Sequence, residues 1–158
     1  MLKKSVLLVA ATAGFAVLAV AQTAPPAPSP AKRAVDERKA IYTLVAANFR
    51  PLGETLQGRA PYNATELRKR AARLAFLSEL ASDSYPDVSN AGPDATRAKA
   101  AIWSSRAEFD TRLADFVKHT QALSDVVAKE SAANDAFKAA AGAVAQDCKG
   151  CHEKFREK

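Results

Sequence analysis

Apolar residues recur at steps of three and four along four stretches of the chain, with charged and small polar residues between them. This spacing is typical of helices that bury one face, and no stretch alternates as a half-buried strand would. The pattern predicts an all-α fold, an antiparallel four-helix bundle. We place its helices at about Lys32–Gln57, from Asn63 onward, at Asp94 or Ala101–Lys129, and at Ser131–Glu157. The buried faces include Leu67, Ala71, Leu74, Leu77 and Ala81 in the second helix, and Ile102, Phe109, Leu113, Phe116, Leu123 and Val127 in the third.

Local residues mark where these helices start and stop. Asn63 is a favourable N-cap for the second helix, and Ser131 is the candidate cap of the fourth. Pro51 lies inside the first stretch, where its missing N–H is expected to kink the helix or end it early. Glycine, proline and small polar residues predict loops at 58–62 and 82–93.

The N-terminal segment has the features of a targeting sequence. Lys3 and Lys4 precede an uncharged, mostly apolar run, and Ala19 and Ala21 place small residues where a signal peptidase reads. The run is shorter than the roughly 20 apolar residues that a membrane-spanning helix needs. Residues 1–21 are therefore predicted to be a cleaved signal peptide, and the mature protein is expected in the periplasm of a bacterium, with no membrane span.

A proline-rich segment follows the signal peptide. Residues 24–30 contain four prolines, which neither a helix interior nor a central strand accommodates. Residues 22–31 are expected to form a stiff, solvated tether, and residues 32–158 the folded bundle. Loss of residues 1–21 removes Lys3 and Lys4 and no acidic residue, so the formal charge falls from +6 to +4.

Charge and cysteine content exclude several classes of protein. The basic cluster Arg68, Lys69, Arg70 and Arg73 is expected to be a solvated helix face, because no aromatic residues interleave with it as in a nucleic-acid binding surface. Two cysteines are too few for a disulfide-based scaffold.

These two cysteines belong to the sequence Cys148-Lys149-Gly150-Cys151-His152. Cys-x-x-Cys-His is the pattern of c-type haem attachment. Residues three apart on a helix share a face, so both thiols can reach the two vinyl groups on one edge of the porphyrin. The next residue then presents its imidazole to the iron as the proximal ligand. The motif predicts one covalent haem c, with Cys148 and Cys151 as attachment points and His152 as the iron ligand.

Three other interpretations of the motif fit less well. A structural disulfide leaves His152 without a role, and a thioredoxin-like redox pair expects a βαβ context. A zinc site needs a fourth ligand. The other histidine, His119, lies off the apolar face of the third helix and is interpreted as a surface residue that binds no metal.

A four-helix bundle with this motif close to its C-terminus resembles the cytochrome c′ family, the class II c-type cytochromes. The resemblance covers most of residues 34–158. It includes the first-helix segment 34–44, the loop Gly58-Arg59-Ala60-Pro61-Tyr62, the segment Ala101-Ile102-Trp103-Ser104 and the ending Phe155-Arg156. Cys-x-x-Cys-His is the specific part of this similarity, and the other segments add weight together.

The resemblance implies a periplasmic haem protein, often a homodimer through its first two helices. Its iron is typically five-coordinate and high-spin, binds nitric oxide and carbon monoxide, and takes part in electron transfer with redox proteins that the sequence does not identify. Low-spin relatives use a methionine of the first helix as sixth ligand. Met1 is the only methionine of this chain, so a mature protein without the signal peptide lacks that ligand.

The resemblance also assigns roles to individual residues. Tyr42 matches the distal residue that covers the open iron face; simple packing in the bundle and weak coordination of the iron are its alternatives. Arg38 matches a basic residue that pairs with a haem propionate, and its alternative is a surface arginine. Lys39 occupies a position that is often glutamine, with a less certain contact at the haem edge. Arg156, one turn after His152, is placed on the proximal side of the haem, where it stabilises either negative charge or the helix terminus.

The expected function is therefore electron transfer, reversible binding of nitric oxide and carbon monoxide, or both. A dedicated six-coordinate electron carrier, with Tyr42 or Lys39 as sixth ligand, is the main alternative, and a non-haem thiol or metal-binding module is a second. No nucleophile–base pair or acid–base constellation suggests an enzyme.

Overall fold

The computed structural model describes residues 26–90 and 96–158, where the chain forms an antiparallel four-helix bundle as predicted. The helices are α1 (Pro30–Leu56), α2 (Ala64–Ser82), the short α3 (Ala101–Ser104), α4 (Arg106–Lys129) and α5 (Asp135–Phe155), with a 3₁₀ helix at Asp87–Asn90. The four long helices close a ring, because α1 packs on α2, α2 on α4, α4 on α5 and α5 on α1. The predicted signal peptide and residues 22–25 of the predicted tether lie outside the described residues.

Side-chain caps fix where the long helices begin. The Ser29 hydroxyl accepts from the Lys32 N–H at 3.2 Å, and Pro30 stands at the first helical position, where no N–H is needed. The prediction of Asn63 as a cap is confirmed, since its side chain accepts from the Glu66 N–H at 3.0 Å. The prediction of Ser131 is wrong: the Asn134 side chain accepts from the Phe137 N–H at 3.0 Å and starts α5 later.

Pro51 does not end the first helix, and the third predicted helix is not continuous. Helix α1 continues through Pro51 to Leu56. The third predicted helix is instead divided at Ser105, which has φ −120° and ψ 44° and separates α3 from α4.

The C-terminal segment that follows α5 pairs through its backbone with the loop before α3. The Lys99 N–H donates to the Phe155 carbonyl at 3.0 Å, and the Glu157 N–H donates to the Arg97 carbonyl at 2.8 Å. This pairing, a bridge between Ala98 and Arg156, ends α5 at Phe155 rather than Glu157. It therefore holds residues 97–99 against the end of the helix that carries both cysteines.

The core consists of two clusters that meet at Tyr42. The larger cluster runs along the bundle, and the predicted buried faces of the second and third helices are confirmed at every position named above. The smaller cluster contains Tyr85, Ile102, Phe109, Leu113 and Phe155 at the end of the bundle near the motif. Over the described ranges, no helix combines the length and apolar character that crossing a membrane requires.

Candidate haem site

A cavity of about 800 Å³ opens between α1, α4 and α5. Residues 38–50 of α1 form one wall, residues 109–116 of α4 a second, and residues 147–156 a third. Tyr85 and Thr96–Ala98 close one end. The wall is apolar where Val45, Ile102, Leu113, Phe116 and Phe155 contribute to it.

The structure places Cys148, Cys151 and His152 together in the α5 wall of this cavity. Both cysteines are free and half-buried, and the three residues follow one another within about one helical turn. Burial raises the pKa of the Cys148 thiol to about 11, and burial also raises the pKa of Cys151. Burial of the imidazole, followed by the nearby guanidinium groups of Arg156 and Arg97, lowers the pKa of His152. A neutral imidazole with a free lone pair is the form that binds iron.

Tyr42 lies on α1 in the cavity wall, in contact with the cluster that contains Cys151. Its ring packs edge-on against that of Tyr85, with 6.3 Å between the centroids. Burial, followed by the nearby Tyr85, raises the pKa of Tyr42 well above its ordinary value. The phenol is therefore a neutral hydroxyl in the cavity at physiological pH.

Arg38 is a buried residue of the cavity wall with 4% of its surface exposed, so the alternative of a surface arginine is wrong. Its Nη1 donates to the Ser84 carbonyl at 3.3 Å and to the Ser89 hydroxyl at 3.2 Å, and its Nη2 donates to the Thr96 hydroxyl at 3.0 Å. These acceptors are all neutral. Two further N–H groups of the guanidinium remain for an anion in the cavity.

Lys39 and Arg156 also line the cavity, and both are exposed. His119 is partly exposed, which agrees with its interpretation as a surface residue, but it has a partner that the sequence did not predict. Its Nδ1 lies 2.7 Å from the Asp147 carboxylate, and only 33% of its side chain is exposed. Asp147 lines the cavity directly before Cys148, whereas His119 is not among the lining residues.

Comparison with known proteins adds an independent line of evidence. The family model described as cytochrome c′ matches residues 33–156. The chain belongs to the cytochrome c′ family. A cytochrome c′ of Cereibacter sphaeroides is 35% identical over 130 residues, which is 81% of this chain and 85% of the relative.

Solved structures of the family agree with the fold. Cytochrome c′ of Shewanella frigidimarina is 31% identical with a TM-score of 0.75, over 84% of this chain and all of that one (100%). Two variants of Alcaligenes xylosoxidans cytochrome c′, one with nitric oxide and one with carbon monoxide bound, are 27% and 28% identical, with TM-scores of 0.71 and 0.72. The matches cover 81% and 82% of this chain and 96% and 98% of the two relatives.

Members of the cytochrome c′ family carry one covalent c-type haem, and the residues of this chain fit that group. The cavity volume lies in the range of cofactor sites, roughly 300–1,000 Å³. The Trp103 indole N–H is buried and has no partner within the described residues, and its ring centroid lies 6.0 Å from the Arg38 guanidinium carbon. Trp103 itself is not among the residues that line the cavity; within the lining, the guanidinium of Arg38 is the donor suited to a haem carboxylate. The described residues contain no group of three His, Cys, Asp or Glu placed to hold a bare metal ion.

Several site residues were missed by the sequence analysis, among them Tyr85 and Arg112. Tyr85 is 8% exposed, contacts both Tyr42 and Arg38 in the cavity lining, and lies in a loop where no periodic pattern could identify it. Arg112 of α4 reaches over the motif, since a side chain at Gly150 would meet its Nη1 at 3.0 Å. Arg112 directly precedes Leu113 on α4. From the helical pattern alone, a residue beside the buried face is predicted only to be partly exposed.

Proposed function

We propose that Cys148 and Cys151 of this cytochrome c′ bind the haem through thioether bonds and that His152 is the axial ligand of its iron. The observation that supports this most strongly is the placement of all three side chains in one wall of the large cavity. When bound, the haem supplies a redox-active iron and a site for a gaseous ligand. The rest of the site is formed by the chain itself.

We propose that no side chain occupies the sixth position, which leaves the iron five-coordinate and high-spin. A mature chain without residues 1–21 contains no methionine, and His119, which is paired with Asp147, is not among the residues that line the cavity. The Tyr42 ring packs edge-on against Tyr85 in the smaller core cluster, and we propose that this packing holds the phenol over the distal face without binding the iron. The side chain of Lys39 is exposed at the cavity wall, and we place it at the edge of the haem instead of at the iron.

The remaining side chains act on the haem and on its ligand. Tyr42 covers the distal face and limits which small molecules reach the iron. Arg38 pairs with a propionate, for which its free N–H groups are suited, and Lys39 lies at the haem edge. Arg156 lies on the proximal side, which its effect on the pKa of His152 supports.

The function proposed for this site is electron transfer together with reversible binding of nitric oxide and carbon monoxide, without catalytic turnover. An open iron face beside a neutral hydroxyl suits uncharged diatomic ligands. The two ligand-bound Alcaligenes structures show that relatives on this fold bind both gases. The predicted signal peptide supports a periplasmic location, where redox proteins are the expected partners.

A homodimer through α1 and α2 is also proposed. Leu44, Phe76 and Leu80 are 51%, 61% and 39% exposed on these two helices. Leu44 and Phe76 line one shallow depression together with Asn48, Arg73 and Leu77. Exposed large apolar side chains grouped on one face are typical of a protein–protein interface.

Titration of the haem-loaded ferrous protein with nitric oxide and carbon monoxide, followed by visible absorption, tests the gas-binding function. We expect saturable, reversible changes of the Soret band with each gas. A spectrum that neither gas alters would contradict the proposed function. Cys148→Ser/Cys151→Ser is the control for attachment, because its haem is expected to be removed by acidified organic solvent, whereas the wild-type haem stays on the chain.

A further inference from the structure

The mouth of the cavity has an uneven distribution of charge. Six basic residues and a single acidic residue, Asp147, are among the lining residues. The six are Arg38, Lys39, Arg50, Arg97, Arg112 and Arg156. Asp147 is paired with His119, whose Nδ1 lies 2.7 Å from its carboxylate, so one acidic side chain stands against six basic ones in the lining.

Most of these cations have no acidic partner. Within the described residues, no ion pair involves Lys39, Arg50, Arg97 or Arg156, and all four side chains are exposed. By contrast, Arg112 pairs with Glu108 at 3.2 Å. The two propionates of a haem neutralise at most two of the excess positive charges, so the mouth stays positive when the cofactor is bound.

The unpaired cations surround the cavity instead of clustering at one point. Lys39 and Arg50 are eleven residues apart on α1, which places them on the same face and about 16 Å apart along the helix axis. Arg156 belongs to the wall formed by residues 147–156 and Arg97 to the segment that closes one end, and the pairing between the C-terminal segment and the loop before α3 holds the two together. We call Lys39, Arg50, Arg97 and Arg156 the cationic rim.

We propose that the cationic rim is the docking surface for an acidic electron-transfer protein, which binds over the cavity mouth and exchanges one electron with the haem. This inference rests on the proposed electron-transfer function and adds the charge of the partner and the place where it binds. The donor loses one electron to the haem iron, and no bond forms or breaks. A ring of like charges around a redox site concentrates partners of the opposite charge and raises their association rate.

The rim faces a different direction from the proposed dimer surface. Leu44 is five residues from Lys39 and six from Arg50 on α1, which corresponds to rotations of roughly 120–140° around the helix. Dimerisation through Leu44 and Phe76 therefore leaves the rim accessible to a partner.

Two small oxidants of opposite charge test the local charge directly. Ferrous haem-loaded protein is mixed with hexacyanoferrate(III), an anion, or with tris(phenanthroline)cobalt(III), a cation, at an ionic strength of 0.1 M, where the screening length is about 10 Å. The rim variant is Lys39→Glu/Arg50→Glu. Its matched control is Lys118→Glu/Lys129→Glu, an exposed pair with the same spacing on α4 that does not line the cavity.

We expect the rim variant to react with hexacyanoferrate about tenfold more slowly and with the cobalt complex several-fold faster, and the control to stay within about twofold of wild type for both. These differences should largely disappear at 1 M ionic strength. A change of reduction potential alone would move both rates in the same direction, so opposite changes identify the electrostatic effect. Equal effects of the rim and control pairs would overturn the proposal.

The same variants are then tested with reduced flavodoxin, an acidic electron-transfer protein, as donor to the ferric protein. The expected result is a roughly tenfold lower association rate for the rim variant and no such loss for the control. A rim effect on the small ions without one on flavodoxin would also overturn docking. If wild type exchanges electrons with none of the three reagents, the proposed electron-transfer function fails as well. If the double variant loses haem, Arg50→Glu alone is measured instead. It is expected to show a smaller change in the same direction.

Discussion

The Arg38 guanidinium carbon lies 4.7 Å from the centroid of the Tyr85 ring. This contact places a buried cation between the cavity and an aromatic side chain that in turn packs on Tyr42 and Phe109. Burial lowers the pKa of Arg38, but the shift is limited by the neighbouring phenols, and arginine stays charged at physiological pH. A buried guanidinium of this kind is stable only when hydrogen bonds replace its contacts with water.

Replacement of Arg38 is therefore expected to destabilise the protein. Arg38→Leu leaves the Ser84, Ser89 and Thr96 acceptors without their donor and removes the contact with Tyr85. We expect a loss of about 2–4 kcal/mol in the free energy of unfolding, and a substantial loss for Arg38→Lys too, because one ammonium cannot replace the planar fork. Urea denaturation of the haem-loaded protein measures both. Arg33→Leu, at an exposed position of α1, is the control, and equal losses at 33 and 38 would disprove this account.

The buried phenols predict a loss of stability at alkaline pH. The pKa values of Tyr42 and Tyr85 are raised in the folded protein, chiefly by burial. Above about pH 10 the unfolded chain releases these protons first, so the stability present below that pH falls as the pH rises towards the folded-state pKa. Tyr42→Phe is expected to give a shallower decrease in the free energy of unfolding between pH 8 and 11, with an unchanged offset from wild type between pH 6 and 8. Parallel curves for the two proteins over the alkaline range would contradict this.

A buried polar pair joins α2 to α4 and predicts non-additive effects. The Ser78 and Thr120 hydroxyl oxygens are 2.8 Å apart, and both residues are fully buried at 0% exposure. Thr120→Val alone is expected to cost about 1–2 kcal/mol, and Ser78→Ala a similar amount. In the double variant the loss should fall short of the sum by about 0.5–1.5 kcal/mol. Denaturant melts of all four proteins complete the cycle, and strict additivity would show that the two hydroxyls do not interact.

The proposed dimer predicts that one substitution shifts the oligomeric state. Phe76→Glu places a carboxylate in the centre of the exposed apolar face, where burial on association would be costly. Sedimentation velocity is expected to show a dimer for wild type and a monomer for the variant. Val88→Glu, at an exposed apolar residue of the 3₁₀ helix, should leave the dimer intact. A wild-type protein that sediments as a monomer would refute the dimer.

The features that could be predicted from the sequence are those that depend on a local pattern of residues. The apolar faces of α2 and α4 follow from periodicity, and Cys148, Cys151 and His152 form a contiguous motif whose residues necessarily share one helix. The break at Ser105 and the cap at Asn134 were missed because several nearby residues have similar capping preferences, and tertiary packing selects among them.

Contacts between residues distant in the sequence could not be predicted in the same way. Arg38 meets Ser84 across 46 positions, and His119 meets Asp147 across 28. Neither pair has a spacing rule, so each arginine or histidine considered alone has the profile of a surface residue. The cationic rim likewise combines residues of α1 with residues near the C-terminus, and only the closed bundle brings them around one cavity.

The central claim is an iron bound by His152 on one side and left open on the other. Electron paramagnetic resonance of the ferric, haem-loaded protein tests it most directly, together with the visible spectrum of the same sample. The account predicts a high-spin ferric signal at neutral pH. A low-spin signal would show a sixth ligand from the protein, with Tyr42, Lys39 and His119 as the residues to replace, and would contradict the open site.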